Sequence, residues 1–481
     1  MVSKPTPSEG GQESRYGKFE SMQEKEDTDS RVRATAKPES NSDDPRQWSW
    51  VNTSVWTERM LAALGNGVQG GRWHSLIDKV SATRTLWSAW QRVKANRGAA
   101  GIDRMSVERF EANAEYYLKV LEEQLRNGSY EPVPIRRVHI PKGQGKTRPL
   151  GIATVKDRIV QGALKLVMEP IFEKEFLPTS FGFRPERSCK DALRIVDKCL
   201  KDGYTWVVDA DLESYFDTIP KHRLMSLVKA SVSDSKVLEL LQQFLDQEVV
   251  EGMKRWTPLA GTPQGSVISP LMANLYLHGL DELLSTDEHQ YVRFADDFVV
   301  MCRTRQEAEA VLVEIQTWVG EQGLTLHPEK TRVSHCAVKG QGFEFLGYRF
   351  EAGRRWVRSK SLKALRDKIR QLTGRTRSGN LESIIAELTP ILRGWFGYFK
   401  HASRSTFRAV DGFVRRRLRA ILRKREKRPG YGRTSTDHRR WPNAFFAQHG
   451  LFTLDEAYTA ARCRVTTFQR FPRSGAVSLC G

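Results

Sequence analysis

Two neighbouring acids, Asp296 and Asp297, interrupt the apolar stretch Tyr291-Val-Arg-Phe-Ala-Asp-Asp-Phe-Val-Val-Met301. β-Branched and aromatic residues on either side of a short polar break predict strand, tight turn, strand, with the carboxylates at the bend. Carboxylates fixed at a rigid tip suit a site that holds Mg²⁺ against substrate phosphates. A solvated turn is the competing reading. A second acidic element, Asp209-Ala-Asp211-Leu-Glu-Ser-Tyr-Phe216-Asp217, reads as a buried strand ending in acids. A plain strand-to-helix cap would look the same. Together the two elements suggest three carboxylates around two metal ions, which would clamp an attacking 3′-oxygen and a leaving pyrophosphate. Between them, Gly261-Thr-Pro-Gln-Gly-Ser-Val-Ile-Ser-Pro-Leu-Met-Ala-Asn274 sets the turn Pro263-Gln264-Gly265 at the opening of a helix, with its amides and the Gln side chain exposed.

The elements that must position these residues follow from periodicity. Helical spacing runs from Val55 to Asn127 (Leu86, Trp90, Val93; Leu118, Leu121, Leu125), broken by the loop Asn96-Arg-Gly-Ala-Ala-Gly-Ile-Asp103. A basic β-hairpin is expected next: strand Ile135 to Ile140, turn Pro141 to Lys146, strand Thr147 to Ile152. Helices follow at about 155–173, 189–201 and 221–245, and an amphipathic one at 305–322 buries Ala308, Val311, Leu312, Ile315, Trp318 and Val319. From Ser359 the chain turns helical and basic, and Lys424 to Arg440 reads as a mobile basic loop.

Charge is uneven. The net charge is +20, yet from Glu351 onward there are about 30 Lys and Arg against about 9 Asp and Glu, so the last quarter carries the whole excess. That, with twelve Trp, favours a nucleic-acid partner over a merely soluble basic surface. No segment approaches the ~18 apolar residues of a membrane span. The six cysteines, at 189, 199, 302, 336, 463 and 480, form no C-x-x-C pair and read as reduced thiols, not a zinc knuckle. The start, Met1-Val-Ser-Lys-Pro, lacks the apolar core of a secretory signal, so a cytoplasmic protein is expected.

The motifs Ile140-Pro-Lys-Gly-Gln-Gly-Lys-Thr-Arg-Pro-Leu-Gly-Ile152, Asp157-Arg-Ile-Val-Gln161, Ser180-Phe-Gly-Phe-Arg-Pro185, Asp211 to Asp217, Thr262 to Asn274 and Arg293-Phe-Ala-Asp-Asp297 together resemble the reverse transcriptases, and closely the bacterial group II intron-encoded proteins. Glu169-Pro-Ile-Phe-Glu173 looks like the insertion that separates intron-type from retroviral enzymes, and Gly98-Ala-Ala-Gly-Ile-Asp103 like part of the family's N-terminal extension. The resemblance, from about Trp56 to about Ala461, implies an α/β right-hand polymerase: fingers and palm with an antiparallel sheet, a helical N-terminal extension and a helical thumb/maturase domain. The expected divisions are a disordered tail at 1–45, the extension at 46–130, fingers and palm at 131–355, thumb/maturase at 356–425 and a basic nucleic-acid-binding extension at 426–481.

Residue by residue, the resemblance makes Asp211, Asp296 and Asp297 the ligands of two Mg²⁺ ions, with Mn²⁺ as the alternative. Phe216 matches the steric gate that excludes a ribose 2′-OH, so the product would be DNA. Lys142 and Arg148 match triphosphate-binding residues, with Arg136 a further member or a template contact. Arg suits phosphate because it donates bidentately. Gln264 matches the residue that packs on incoming nucleotide and template. Lys330 in His327-Pro-Glu-Lys-Thr331 matches a proton donor to pyrophosphate, with a solvated surface lysine as the alternative. Phe345-Leu346-Gly347 looks like the primer grip. Arg415, Arg416, Arg417, Arg419 and Lys424 would contact RNA through phosphate and shape. Phe294 stands where the family form has Tyr, so altered primer-end contacts are expected.

The implied partners are intron RNA, as template and splicing substrate, a DNA target or primer, and dNTPs. The Cys pairs and HNH-type histidines of nuclease-bearing members are missing, so cleavage of the second DNA strand is not expected. Two further readings share these motifs: a domesticated intron-type enzyme in phage defence or repair, and an RNA-binding maturase with little polymerase use.

Overall fold

The computed structural model describes residues 48–143, 146–285 and 289–468, with their side chains except at 69, 142–146 and 463–468. The expected tail at 1–45 and the side chain of Lys142 lie outside these. Eleven strands appear among the described residues. They are β1 (Ile135–Gly143), β2 (Lys146–Ile152), β3 (Trp206–Asp211), β4 (Val249–Glu251), β5 (Lys254–Trp256), β6 (Gln290–Phe294), β7 (Asp297–Cys302), β8 (Arg332–His335), β9 (Phe343–Phe345), β10 (Tyr348–Glu351) and β11 (Arg354–Val357). They form three sheets, ordered β2-β1-β4-β5, β6-β7-β3-β8 and β11-β10-β9. The basic hairpin is longer than its periodicity suggests, since both strands run on past Ile140 almost to the tip.

The central sheet separates two cores, and strand alternation decides which residue joins which. Val208, Ala210, Phe298 and Val300 face the core shared with the N-terminal helices and with helix Val155–Glu173. Val207, Val292, Val299 and Met301 face the core built by the basic C-terminal helices Ser359–Leu372, Leu381–Phe399 and Arg404–Arg425. The amphipathic helix Arg305–Glu321 packs Ala308, Val311, Ile315 and Val319 inward, as its spacing predicts. Residues 424–440 are a correction to the sequence reading. Arg423 donates to the Pro429 carbonyl and pairs with buried Asp437, and Ser435–Arg440 is a helix opened by a Thr434–Asp437 capping box. The segment is pinned at both ends.

Helix Val155–Glu173 is buried along nearly its whole length and contains Pro170. Proline has no N–H, so the carbonyl four residues earlier, that of Leu166, loses its helical donor. Trp56, 1% exposed, supplies a replacement: its indole Nε1 donates to the Leu166 oxygen at 3.0 Å. The segment around Trp56 is thus latched onto this buried helix at the carbonyl that Pro170 leaves open. Trp56→Phe is expected to cost about 1–3 kcal/mol in denaturant unfolding, because a buried carbonyl loses the donor that stands in for the missing helical N–H. In a Pro170→Ala background, which restores the helical N–H, most of that cost should vanish. Equal destabilisation in both backgrounds would show that the latch is packing alone.

Candidate active site

Asp211 ends β3 and Asp297 begins β7, and the two are directly opposed in an antiparallel register. Phe294 pairs with Asp297 across β6 and β7, leaving Ala295 and Asp296 as a two-residue turn, with Ala295 at φ 61°. By alternation, Asp211, Asp209 and Asp297 lie on the same face as Val207, Val299 and Met301, the face turned toward the C-terminal helices. Phe294 is partly buried against that core.

A buried network holds the turn. Arg293 and Asp281 are both 0% exposed and form a two-pronged ion pair, Nε to Oδ1 at 2.7 Å and Nη2 to Oδ2 at 2.5 Å. Tyr291 donates its hydroxyl to the same carboxylate at 2.8 Å. Arg293 Nη1 then donates to the Ala295 carbonyl inside the turn and to Asn274 Oδ1, each at 2.9 Å. Asn274 in turn donates to the Gly182 carbonyl at 2.8 Å. Gly182 is pressed against the turn so closely that a Cβ there would stand 2.1 Å from the Ala295 nitrogen. The Ser180-Phe-Gly-Phe-Arg segment is itself stapled by Arg184, which forks onto Glu173 and donates to the Ser180 carbonyl. Motifs distant in sequence therefore meet behind one turn. Sequence reasoning missed Arg293 and Asp281 as working residues, although a charge inside the apolar run Tyr291-Val-Arg-Phe was a visible signal.

The acids are crowded and under-compensated. Burial, reinforced by Asp209, Asp296 and Asp211, raises the Asp297 carboxyl from 3.8 to about 7, against the pull of Arg358. Asp209 rises to about 6, again mainly through burial, with Asp211 and Glu344 adding repulsion. Asp296 is raised by burial and by Asp211. Lys330 reaches into this group: its Nζ lies 2.5 Å from Asp211 Oδ2, and the His327 amide donates to the Asp211 carbonyl. Asp209 is a fourth carboxylate of the cluster that the motif comparison did not single out. Among the described residues, no three His, Cys, Asp or Glu side chains are already drawn into a metal cage. The donor chemistry nevertheless fits a hard divalent cation, since it is all carboxylate oxygen with uncancelled negative charge.

On the other flank, Phe216 and Gln264 line one cavity of about 220 Å³ with Arg137, Asp217 and Trp256. Gln264 Nε2 donates to Asp217 at 3.1 Å, and the Gln264 main-chain carbonyl accepts from the Gly151 amide of β2 at 2.7 Å. Gln161, one helical turn after buried Asp157, accepts from Ser266 and from the Val267 amide, so the Asp-Arg-Ile-Val-Gln motif seats the Pro-Gln-Gly turn. Arg136 and Arg148 lie on the opposite face of the hairpin from cavity-lining Arg137, Pro149 and Gly151. Arg148 is exposed, while Arg136 is held by the Ala100 carbonyl and keeps a buried Nε without a protein acceptor. Sequence reasoning missed Arg137, whose guanidinium stacks over Trp256.

Leu346 and Gly347, at φ 47° and 82°, form the tight turn joining β9 to β10, and Tyr398 donates to the Leu346 carbonyl. Phe345 is a correction: at 1% exposed it is a core residue and supports this turn from within. Two of the expected RNA-contacting arginines are also turned inward. Arg417 donates to Thr373, and Arg419, 2% exposed, to the Trp441 carbonyl and Asn443. Arg415 and Arg416 are half-buried and Lys424 is exposed.

This arrangement lies within a domain of the reverse transcriptase class. Residues 140–350 match the family described as reverse transcriptase (RNA-dependent DNA polymerase), and residues 362–441 match the group II intron maturase-specific domain. Protein YkfC of Escherichia coli K12 is 35% identical over 334 residues, covering 61% of this chain and 87% of its own. The group II intron-encoded protein LtrA of Lactococcus lactis is 33% identical over 259 residues, 53% of this chain but 39% of LtrA. A 91 kDa protein in the cob intron of Schizosaccharomyces pombe is 29% identical, over 44% of this chain and 34% of its own. The chain belongs to the group II intron reverse transcriptase/maturase family. Among the described residues no helix is long and apolar enough to cross a membrane.

Two predictions follow the geometry. Arg293→Met should destabilise the chain by about 3–5 kcal/mol, because Asp281 is left buried and unpaired. The double variant Arg293→Met/Asp281→Leu should recover most of that stability in denaturant unfolding. It should recover little polymerase activity, since Ala295 and Asn274 still lack their donor; full recovery of both would reduce the pair to packing. The second concerns Asp297, whose carboxyl binds its proton more tightly in the folded than in the unfolded chain. The folded state therefore loses stability as pH rises from about 4 to about 7. Without divalent metal, Asp297→Asn should melt several degrees above wild type at pH 8, and the gap should close toward pH 4. A gap independent of pH would contradict the raised carboxyl.

Proposed function

We propose that the chain is an active RNA-directed DNA polymerase that binds group II intron RNA, assists its splicing and copies it into DNA during mobility. The observation that carries this reading is the register of Asp211 opposite Asp297, with Asp296 in a turn fixed from behind by Arg293. Asp211, Asp296 and Asp297 would hold divalent metal, Mg²⁺ in the first instance, which when bound activates the primer 3′-hydroxyl and stabilises charge on the triphosphate. The protein's own residues do the positioning. Arg148 and Arg136 offer cations from one hairpin face to the phosphates, and Lys142 is a further candidate for the same role. Phe216 presents a ring, not a hydrogen-bonding group, where the sugar would lie, so a ribose 2′-OH meets a clash with no compensating contact. Gln264 is oriented by Asp217 and the Gly151 amide. Lys330, beside Asp211, is placed to give a proton to departing pyrophosphate. The turn Leu346-Gly347 brings backbone, with little side-chain bulk, to the primer strand.

The test is primer extension on an RNA template. Asp296→Ala should abolish extension with dNTPs, while Phe216→Ala should keep it and relax discrimination against ribonucleotides by about tenfold or more. Equal extension by wild type and Asp296→Ala would refute the catalytic assignment. Unchanged sugar discrimination in Phe216→Ala would remove the gate.

A further inference from the structure

Helix Arg404–Arg425 disposes of its cations unequally. Near its ends they are neutralised within the chain: Arg404 and Arg408 share Asp455, and Arg423 pairs with Asp437. Arg417 and Arg419 are bound to protein carbonyls and polar side chains, as described above. Arg415 and Arg416, with Arg433 from the segment that folds back against the helix, form no ion pair among the described residues. The nearby acids are already engaged. Asp411 precedes Arg415 by one turn and attracts it, but its oxygens accept the amides of Leu454 and Asp455, and Glu426 pairs with Arg440 and Arg428.

These three arginines line a hollow of about 300 Å³ together with Arg419, His438 and Asn443. Gly412 and Gly432 line it too. Gly432 sits so close to the helix that a Cβ would meet Arg419 Cβ at 2.7 Å. Burial and the neighbouring Arg433 and Arg370 hold the Arg416 guanidinium below its usual pKa, a mark of cations crowded without an anion.

We propose that this hollow is a receptor for the phosphate of an unpaired, extruded nucleotide in the chain's RNA partner. The inference rests on the RNA-binding reading above and deepens it from a basic face to one recessed site. Guanidinium forks match phosphate oxygens bidentately, which a flat cationic surface does not require. A regular A-form duplex carries its phosphates on a convex backbone and reaches only the rim, whereas an extruded nucleotide projects a phosphate into a recess.

Gly412 makes the proposal testable without touching charge. Gly412 lines the hollow, a Cβ there would meet nothing within 4 Å, and leucine is the better helix former, so Gly412→Leu should add bulk at the hollow and leave the helix intact. The full-length protein is titrated with a short paired RNA duplex, the same duplex carrying one unpaired nucleotide, and a DNA duplex carrying the same bulge. Wild type should bind the bulged RNA about tenfold or more tighter than the other two, about 1.4 kcal/mol. Gly412→Leu and Arg416→Lys should each bring that preference close to parity, with the melting temperature kept or raised. A Gly412→Leu protein that keeps the wild-type preference overturns the recessed site, and equal wild-type affinity for bulged RNA and bulged DNA overturns the RNA assignment. RNA-templated extension is followed in the same preparations. Extension without any bulge preference defeats the hollow alone, and bulge preference without extension defeats only the polymerase reading.

Discussion

The site depends on one buried ion pair. Arg293 and Asp281 are fully enclosed, so the guanidinium is fixed in place by a carboxylate that has no solvent alternative. Two charges taken from water are costly, and such a pair is seldom kept for stability alone. Its yield here is geometric. The remaining donors of Arg293 clamp the Ala295 carbonyl and Asn274, and through Asn274 the Gly182 carbonyl, so three separated segments agree on the position of a single turn.

That rigidity matters because the residues it positions repel one another. Asp297, Asp211 and Asp209 crowd on one face of the central sheet with Asp296 in the turn beside them, against Lys330 at Asp211 and Arg332 at Asp209. Left to relax, such carboxylates would separate or take up protons. The β3–β7 register opposes Asp211 to Asp297, and the pinned turn holds Asp296 beside them, at a cost in stability that suits a site built for added positive charge. The same logic recurs at the basic end, where unpaired arginines are gathered by a scaffold whose own acids are committed elsewhere.

Much of this was legible in the sequence. Apolar runs broken at turns gave the acidic and basic hairpins, and a 3.6-residue period gave the amphipathic helix, because sheet and helix faces are decided locally. Family resemblance supplied roles for Asp211, Phe216 and Gln264. What was not legible depended on tertiary neighbours. Arg415, Arg416, Arg417 and Arg419 look alike along the helix, and only the placement of Thr373 and Trp441 turns two of them inward. Phe345 reads like its turn neighbours until β9 sends it into the core. Asp281 carries no local signal, since its partner lies 12 residues on, in β6. The indole of Trp56, answering a carbonyl that Pro170 leaves open, joins residues more than a hundred positions apart.

A pinned turn and its opposed strand would make a metal-dependent polymerase centre from Asp211, Asp296 and Asp297. The decisive measurement is the crystal structure of the full-length protein with RNA template, DNA primer, a non-hydrolysable dNTP and Mg²⁺. Mg²⁺ is expected on these carboxylates, with Lys330 released from Asp211 toward the phosphates and Arg293 unmoved on Ala295. Mg²⁺ held elsewhere, with the Lys330–Asp211 pair intact, would contradict that assignment.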